Sequence, residues 1–260
     1  DDKDYVARTS IVKSSKNIND QIKEIIETLT INSQKSNYIR DGFKPIIPKD
    51  TKVLDLKLDS EILTINFSKE FLNVSKENED KMIEALIYSL TEIKEIKKIK
   101  ILVENNNFTT LPNSNKKLPE YLDKNYGINK IYNLDSLKET SKTTIYYLSK
   151  NKDYYYYVPV TKVSNEKLER VEIIIKELKS TPIYHTNLIS YLASSTSMTN
   201  YELLESTISL SFNNYLIANL KDDAVLEEVK YSIALSLRDT YGINEVIFSI
   251  PDMENTRISV

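Results

Sequence analysis

The chain has 260 residues and a formal net charge of −3 at pH 7, so it forms one large domain or two small ones. The absence of cysteine excludes thiolate nucleophiles, disulfides, iron–sulfur clusters and cysteine-ligated zinc. A single histidine, His185, cannot build a histidine-rich metal cage, and three widely spaced glycines cannot form a glycine-rich phosphate loop. Without a basic excess, nucleic acid is not an expected partner. We therefore predict no catalytic, cofactor-binding or metal-binding residues.

Four segments place apolar residues at the three- and four-residue spacing of an amphipathic helix. In chain order they run from Ile18 to Leu29, from Met82 to Ile93, from Leu168 to Leu178 and from Leu226 to Leu237. Each carries charged residues on its opposite side, as is typical of helices that lie on a sheet.

Between these helices the apolar residues alternate with a period of two, which indicates strands. In the first half, residues 54–58 and 63–67 predict a β-hairpin around a turn at 59–61, and residues 99–103 predict a closing strand. The second half gives the same kinds of element. They are a first hairpin of strands 144–148 and 154–160, a second hairpin of strands 208–212 and 216–218 around Asn213-Asn214, and a closing strand at 246–250.

The order strand, helix, hairpin, helix, strand therefore occurs twice. Residues 82–103 align with 229–250 without a gap, at an offset of 147, and Tyr5-Val6 align with Tyr157-Val158 at an offset of 152. In that alignment the counterpart of strand 144–148 falls before Asp1. We therefore expect the first unit to lack its first strand here, and the native protein to continue upstream by at least one strand.

The repeat predicts an α+β fold of two similar units, each a small, mostly antiparallel sheet with two helices on one face. The predicted division is 1–115 for the first domain, 116–140 for a connector and 141–260 for the second domain. We expect a short helix between Pro119 and Gly127, and Leu134 and Leu137 as a strap against one unit.

The remaining polar features favour structural roles. No glycine-flanked serine forms a nucleophile elbow, so His185 is interpreted as a structural or surface residue. The pairs Asp222-Asp223 and Glu227-Glu228 lie where a helix begins, and acidic side chains stabilise that end of a helix. A lysine cluster lies near the end of helix 82–93 and is interpreted as solvated: Lys94, Lys97, Lys98 and Lys100.

Tyrosines are the candidate interaction residues, because the chain has 18 tyrosines against 6 phenylalanines and no tryptophan. On adjoining strands the candidates are Tyr146, Tyr147, Tyr154, Tyr155, Tyr156 and Tyr157. Alternate residues of a strand face opposite sides, so an outward set would form an exposed aromatic ladder. Three interpretations stay open: ordinary cross-strand packing, a protein contact surface, or a glycan site.

Several of these segments resemble the GerM domain family. Residues 51–54 with Leu63-Thr64-Ile65-Asn66-Phe67-Ser68-Lys69-Glu70-Phe71 are similar to its hairpin, and residues 84–92 with 99–104 to its helix and closing strand. In the second half, residues 144–148 and 157–161 are similar to the family's first hairpin. The part from Tyr201 to Leu220 keeps the hairpin but lacks the Phe-Ser-Lys-Glu end.

The resemblance implies tandem GerM domains, similar to ring-building domains, behind a lipoprotein signal or membrane anchor upstream of this sequence. It implies an extracytoplasmic, non-enzymatic scaffold of endospore formation and germination, in the intermembrane space of the forespore. The expected partners are other sporulation envelope proteins, in a channel between mother cell and forespore, or further copies of the chain in a homo-oligomer or ring. The alternative is a cell-wall module that binds peptidoglycan through the tyrosines. The family contributes no catalytic residues.

Overall fold

The computed structural model describes residues 4–10, 15–180, 187–216 and 225–260. The chain divides into two compact units. The first unit comprises residues 9–128, and the second comprises residues 129–260 together with residues 4–8. Of the residues predicted to be a connector, 116–128 pack with the first unit, because Leu118 and Leu122 are buried in its core.

The first unit contains one sheet and two α-helices within its described part. In chain order the elements are α1 (Ile18–Leu29), β1 (Val53–Asp59), β2 (Ile62–Phe67), α2 (Glu79–Leu90), β3 (Lys98–Val103) and β4 (Asn106–Asn107). The strand order is β1-β2-β3-β4. The β2 and β3 strands run parallel, and the other neighbours run antiparallel.

Local sequence accounts for these elements. The side chain of Asn17 accepts hydrogen bonds from the backbone nitrogens of Asn19 and Asp20 and so caps α1. Ser60 and Glu61 turn the β1–β2 hairpin with φ values of 49° and 65°, the left-handed backbone that a two-residue hairpin turn requires. The alternation in β2 places Leu63, Ile65 and Phe67 on the face that packs against the helices.

The second unit contains two sheets and two α-helices in its described ranges. The elements are β5 (Ile131–Asn133), β6 (Ser141–Asn151), β7 (Tyr154–Ser164), α3 (Arg170–Lys179), β8 (Met198–Leu204), β9 (Thr207–Phe212), α4 (Glu227–Tyr241), β10 (Glu245–Ser249) and β11 (Thr256–Ser259). One sheet has the order β11-β10-β9-β8 and the other β5-β7-β6. All four predicted helices are thereby confirmed, as is the α+β class, although each four-stranded sheet is mixed.

The repeat extends to irregular features of the sheets. The register of β1 on β2 shifts between Val53 and Asp55, and that of β8 on β9 shifts between Met198 and Asn200. These two bulges occupy equivalent positions at an offset of 145. Both β2–β3 and β9–β10 are parallel pairs in the same relative register. The two units therefore share a backbone design as well as an order of elements.

The predicted hairpin around Asn213-Asn214 is wrong. The second unit's hairpin is formed by β8 and β9, and residues 214–216 form a 3-10 helix, as residues 69–72 do in the first unit. Ile217 and Ala218, assigned to the predicted second strand, lie outside the described residues. The sequence did not predict β8 as a strand, because this edge strand is mostly exposed on both faces and therefore lacks a clear alternation of apolar and polar residues.

Two further predictions also need correction. The predicted helix between Pro119 and Gly127 is only a 3-10 turn, Lys124–Tyr126. Leu137 is 90% exposed and does not strap either unit. Leu137 lies among polar residues, and its apolar character alone was not a sufficient basis for predicting that it packs against a unit.

None of the helices in the part of the chain that the structure describes combines the length and apolar character needed to cross a bilayer.

A buried carboxylate fixes the loop beside α2. Glu79, in the first turn of α2, is 1% exposed. Its Oε1 accepts from the Ser114 backbone nitrogen at 2.8 Å, and its Oε2 accepts from that of Asn113 at 3.0 Å. Burial by itself raises the pKa of Glu79, but the hydrogen bonds from Ser114 and Asn113 outweigh it and hold the pKa below its ordinary value.

We expect Glu79→Gln to destabilise the protein by about 1–2 kcal/mol at neutral pH, because an amide accepts these bonds less strongly than a carboxylate. A lowered pKa in the folded state stabilises the fold above the unfolded value, and this stabilisation is lost as the pH falls through the folded value. The difference between the two proteins should therefore shrink on acidification. Urea unfolding at pH 7 and at about pH 3.5 measures it, and an equal difference at both pH values would contradict this role.

Candidate interaction surface

The six predicted tyrosines lie on the β6–β7 hairpin of the second unit, but two of them are buried. Tyr146 and Tyr147 are each 2% exposed. The hydroxyl of Tyr146 donates to Asp239 Oδ2 at 2.5 Å, and its backbone nitrogen donates to Ser236 Oγ at 2.8 Å. Burial, with the nearby carboxylate of Glu177, raises the pKa of Tyr147 far above its ordinary value. The expectation that these two side chains form a surface is corrected, because α3 and α4 both pack against β6.

The four consecutive tyrosines of β7 differ in their surroundings. Tyr154 accepts a hydrogen bond from the Asn151 side-chain amide at 3.0 Å, and its ring lies 6.3 Å from that of Tyr156. Tyr156 is partly buried and packs against the core of the unit. Tyr155, on the opposite side of the strand, is 38% exposed. The predicted alternation therefore holds for the exposure of Tyr155, whereas a continuous ladder of exposed rings is not formed.

Tyr155 forms a pair with Tyr191, which the sequence did not single out. The Tyr191 hydroxyl donates to that of Tyr155 at 2.8 Å, and the ring centroids are 5.9 Å apart in an edge-to-face arrangement. Tyr191 is 40% exposed. The Lys150 ammonium lies 5.7 Å from the Tyr155 ring centroid, within the range of a cation–π contact.

Two further tyrosines, Tyr157 and Tyr231, lie near the acidic residues at the start of α4, and Glu228 also interacts with Tyr191. Burial and the carboxylates of Glu228 and Glu227 raise the pKa of Tyr157 to about 12, with a contribution from Tyr231. The pKa of Tyr191 is also raised, first by its hydrogen bond with Tyr155 and then by burial and by charges that include Glu228. We define the tyrosine patch by four residues that these interactions connect: Tyr155, Tyr157, Tyr191 and Tyr231.

The patch combines apolar rings with hydroxyl groups at their tips, two of which, those of Tyr155 and Tyr191, are hydrogen-bonded to each other. Rings with polar tips are enriched in protein–protein interfaces. Sequence reasoning missed Tyr191 and Tyr231 because each lies more than 30 residues from the β7 tyrosines, and no local pattern marks either. Only the tertiary structure brings them to this surface, because α4 packs against β6 and Ile189 pairs with Leu148 of the same strand.

The other singled-out residues give no chemical site. His185, Asp222 and Asp223 lie outside the described residues. Glu227 and Glu228 occupy the first turn of α4, as expected for acids at a helix start. No group of histidine, aspartate and glutamate side chains in the described ranges could hold a metal ion. In the lysine cluster, Lys100 pairs with Glu120 at 2.7 Å.

Comparison with known proteins relates the first part of the chain to a described family. Residues 1–109 match the family described as Germane, sporulation and spore germination, which is not a known enzyme family. The spore germination protein GerM of Bacillus subtilis (strain 168) is 28% identical over 230 residues. That alignment covers 86% of this chain and 63% of the relative, so the chain spans less than two thirds of that protein's length.

A solved structure extends the likeness to both units. The tandem GerMN domains of the sporulation protein GerM from Bacillus subtilis match with a TM-score of 0.86 at 24% identity. The match covers 96% of this chain and 88% of that one, so the two share the fold of tandem domains. Residues 1–109 of this chain thus match the Germane family, and over most of its length the chain is similar to GerM.

Proposed function

We propose that this chain is a non-enzymatic scaffold or assembly protein of endospore formation and germination, working through protein–protein contacts. Its partners are other proteins of the sporulation envelope or further copies of itself, and its contacts stabilise the channel complex between mother cell and forespore. The chain works outside the cytoplasm, in the intermembrane space of the forespore, attached to the membrane through a lipoprotein-like anchor upstream of this sequence. The similarity to the spore germination protein GerM supports the role in sporulation and germination.

The observation that carries the proposal is that, within the described residues, one face of each four-stranded sheet presents a row of exposed or partly exposed side chains. In the first unit, Lys57, Thr64 and Lys100 form one row across β1, β2 and β3. The equivalent row of the second unit crosses β8 to β11, and its residues are Glu202, Ser209, Ile247 and Arg257. All of these side chains are exposed or partly exposed. One face of each sheet already packs on helices, so the opposite faces and the tyrosine patch are surfaces that partners could contact.

Affinity recovery from sporulating cells tests the proposal. The tagged chain should recover envelope proteins made during sporulation, and the pair Tyr155→Ser/Tyr191→Ser should recover about tenfold less of a partner that docks on the patch. The matched control is Tyr132→Ser/Tyr215→Ser, since both of these tyrosines are 65% exposed and lie outside the patch. Recovery that contains no enriched envelope protein would contradict the scaffold function.

A second candidate function is binding of cell-wall glycan, which is favoured by the exposed rings of Tyr155 and Tyr191 near Glu228. Aromatic rings stack on sugars, and a carboxylate accepts hydrogen bonds from sugar hydroxyls. Here, however, Lys150 lies over one face of Tyr155 and the edge-to-face contact with Tyr191 limits the flat surface. Protein contact therefore fits the patch better. Co-sedimentation with purified peptidoglycan that the double tyrosine variant loses, and the control variant keeps, would favour the glycan function instead.

A further inference from the structure

Residues 4–8 lie along the free edge of β7 in the second unit. The Arg8 backbone nitrogen donates to the Tyr157 carbonyl oxygen at 2.9 Å. Tyr5 and Ala7 pack against the core of the second unit, and burial, with Tyr156, raises the pKa of Tyr5 to about 12. The repeat predicted a strand of the first unit here. The segment instead lies beside β7 without being a strand of the β5-β7-β6 sheet, and Arg8 makes its main-chain hydrogen bond to that strand.

Asn129 holds the segment as a peptide group would. Its Oδ1 accepts from the Val6 nitrogen at 3.0 Å, and its Nδ2 donates to the Val6 carbonyl oxygen at 2.7 Å. The same Nδ2 donates to the Pro159 carbonyl oxygen at 2.8 Å. Proline has no N–H, so this edge of β7 cannot continue a regular ladder. The asparagine amide bridges the interruption, and its bonds go to main-chain atoms of the segment.

A site of this kind accepts an extended strand by main-chain hydrogen bonding, the mode known as β-augmentation. Three hydrogen bonds join Val6 and Arg8 to Asn129 and Tyr157, and Tyr5 and Ala7 pack against the core. A five-residue segment held in this way is short enough to exchange. The segment that fills it is also a near copy of the strand beside it, since Tyr5-Val6 and Thr9 align with Tyr157-Val158 and Thr161. A β7-type strand is therefore the ligand that this edge fits.

We propose that the edge of β7 from Tyr157 to Pro159, with Asn129, is a strand-binding site, and that its occupant in an assembly is residues 4–8 of a second copy. The inference rests on the proposed assembly function and names one contact for it. Exchange of an identical segment keeps every bond of the intramolecular contact, so it is a low-cost route to association. The tethered segment competes at an effective concentration of about 1 mM, so exchange becomes appreciable as the protein concentration approaches that value.

The absence of cysteine makes a site-specific test straightforward. One pool of the full chain carries a donor dye on Asp4→Cys, and the other an acceptor dye on Tyr132→Cys, an exposed residue of β5. The pools are mixed between about 1 μM and 1 mM. We expect energy transfer that rises with concentration. Asn129→Ala in the acceptor pool should weaken the association about tenfold, whereas Asn133→Ala, an exposed asparagine on β5, should leave it unchanged.

The two pools also give an asymmetric control that misfolding cannot imitate. Val6→Pro removes the N–H that Asn129 accepts, so it should abolish energy transfer when placed in the donor pool. Placed in the acceptor pool, it releases that copy's own segment, and energy transfer should rise. No transfer at any concentration, or transfer that ignores Asn129→Ala, would overturn the proposal. Recovery of envelope proteins from sporulating cells is measured separately, so loss of this contact and loss of the proposed function are distinguishable.

Discussion

Replacement of Lys162 by alanine is expected to destabilise the protein by about 3–5 kcal/mol, because it removes a buried cation that pairs with two partly buried carboxylates. The Lys162 side chain is 5% exposed, and its Nζ contacts Glu166 and lies 2.7 Å from Glu177 Oε1. Lys176 supplies a second cation to Glu166 at 2.8 Å. This group joins β7 to α3, so its loss should weaken the packing of that helix. Urea unfolding of the full chain measures the effect.

The cluster offers its own controls. Lys176→Ala removes a cation whose side chain is 56% exposed, and exposed pairs contribute about 0–1 kcal/mol. The double change Lys162→Met/Glu177→Leu replaces both charges by apolar side chains and should recover much of the loss. A loss below about 1 kcal/mol for Lys162→Ala would show that the cluster does not stabilise the fold.

At acidic pH, Lys162→Ala should lower the free energy of unfolding by less than it does at neutral pH. Burial raises the pKa of Glu166, but hydrogen bonds from Lys162 and Lys176 outweigh it and lower the pKa overall. A carboxyl with a lowered folded pKa stabilises the fold above its unfolded value, about 4.3, and this contribution disappears as the pH falls through the folded value. Below that range the carboxyls of both proteins are protonated, so the difference between parent and variant narrows.

Truncation of the equivalent core phenylalanines should have a comparably large effect in each unit. Phe67 is fully buried and stacks on Phe71 at 4.4 Å, and Phe212 is 1% exposed and stacks on Phe248 at 6.3 Å. Phe67→Ala and Phe212→Ala are each expected to cost about 3–5 kcal/mol, through lost burial and the cavity left behind.

Thermal and urea unfolding of the two variants test this equivalence of the repeats. Leu54→Ala is the control, because Leu54 is 48% exposed on edge strand β1 and should cost well under about 1 kcal/mol. A large loss for one phenylalanine with almost none for the other would contradict the shared design of the two units.

Local periodicity was sufficient for the helices and for the first hairpin. The apolar stripe of Ile18–Leu29 and the alternation of Leu63, Ile65 and Phe67 each face a single core, so their pattern encodes their burial. The strand predicted at 144–148 is present within β6, but the same reasoning did not predict which of its side chains are buried. Residues 143–149 are buried on both faces, so a run containing Tyr146 and Tyr147 carries no alternation that would separate inside from outside.

The sequence by itself determined the repeated α+β unit, the four helices and the scarcity of reactive side chains, because these depend on composition and on neighbours within one turn or strand. Only the tertiary structure decided which tyrosines reach the surface, that Tyr191 and Tyr231 join them, and that residues 4–8 pair with β7. Each of these depends on groups far apart in the chain, such as Val6 and Asn129. Their contact leaves no periodic trace in the sequence, because Val6 takes part through its main chain, whatever its side chain, and its partner Asn129 lies 123 residues away.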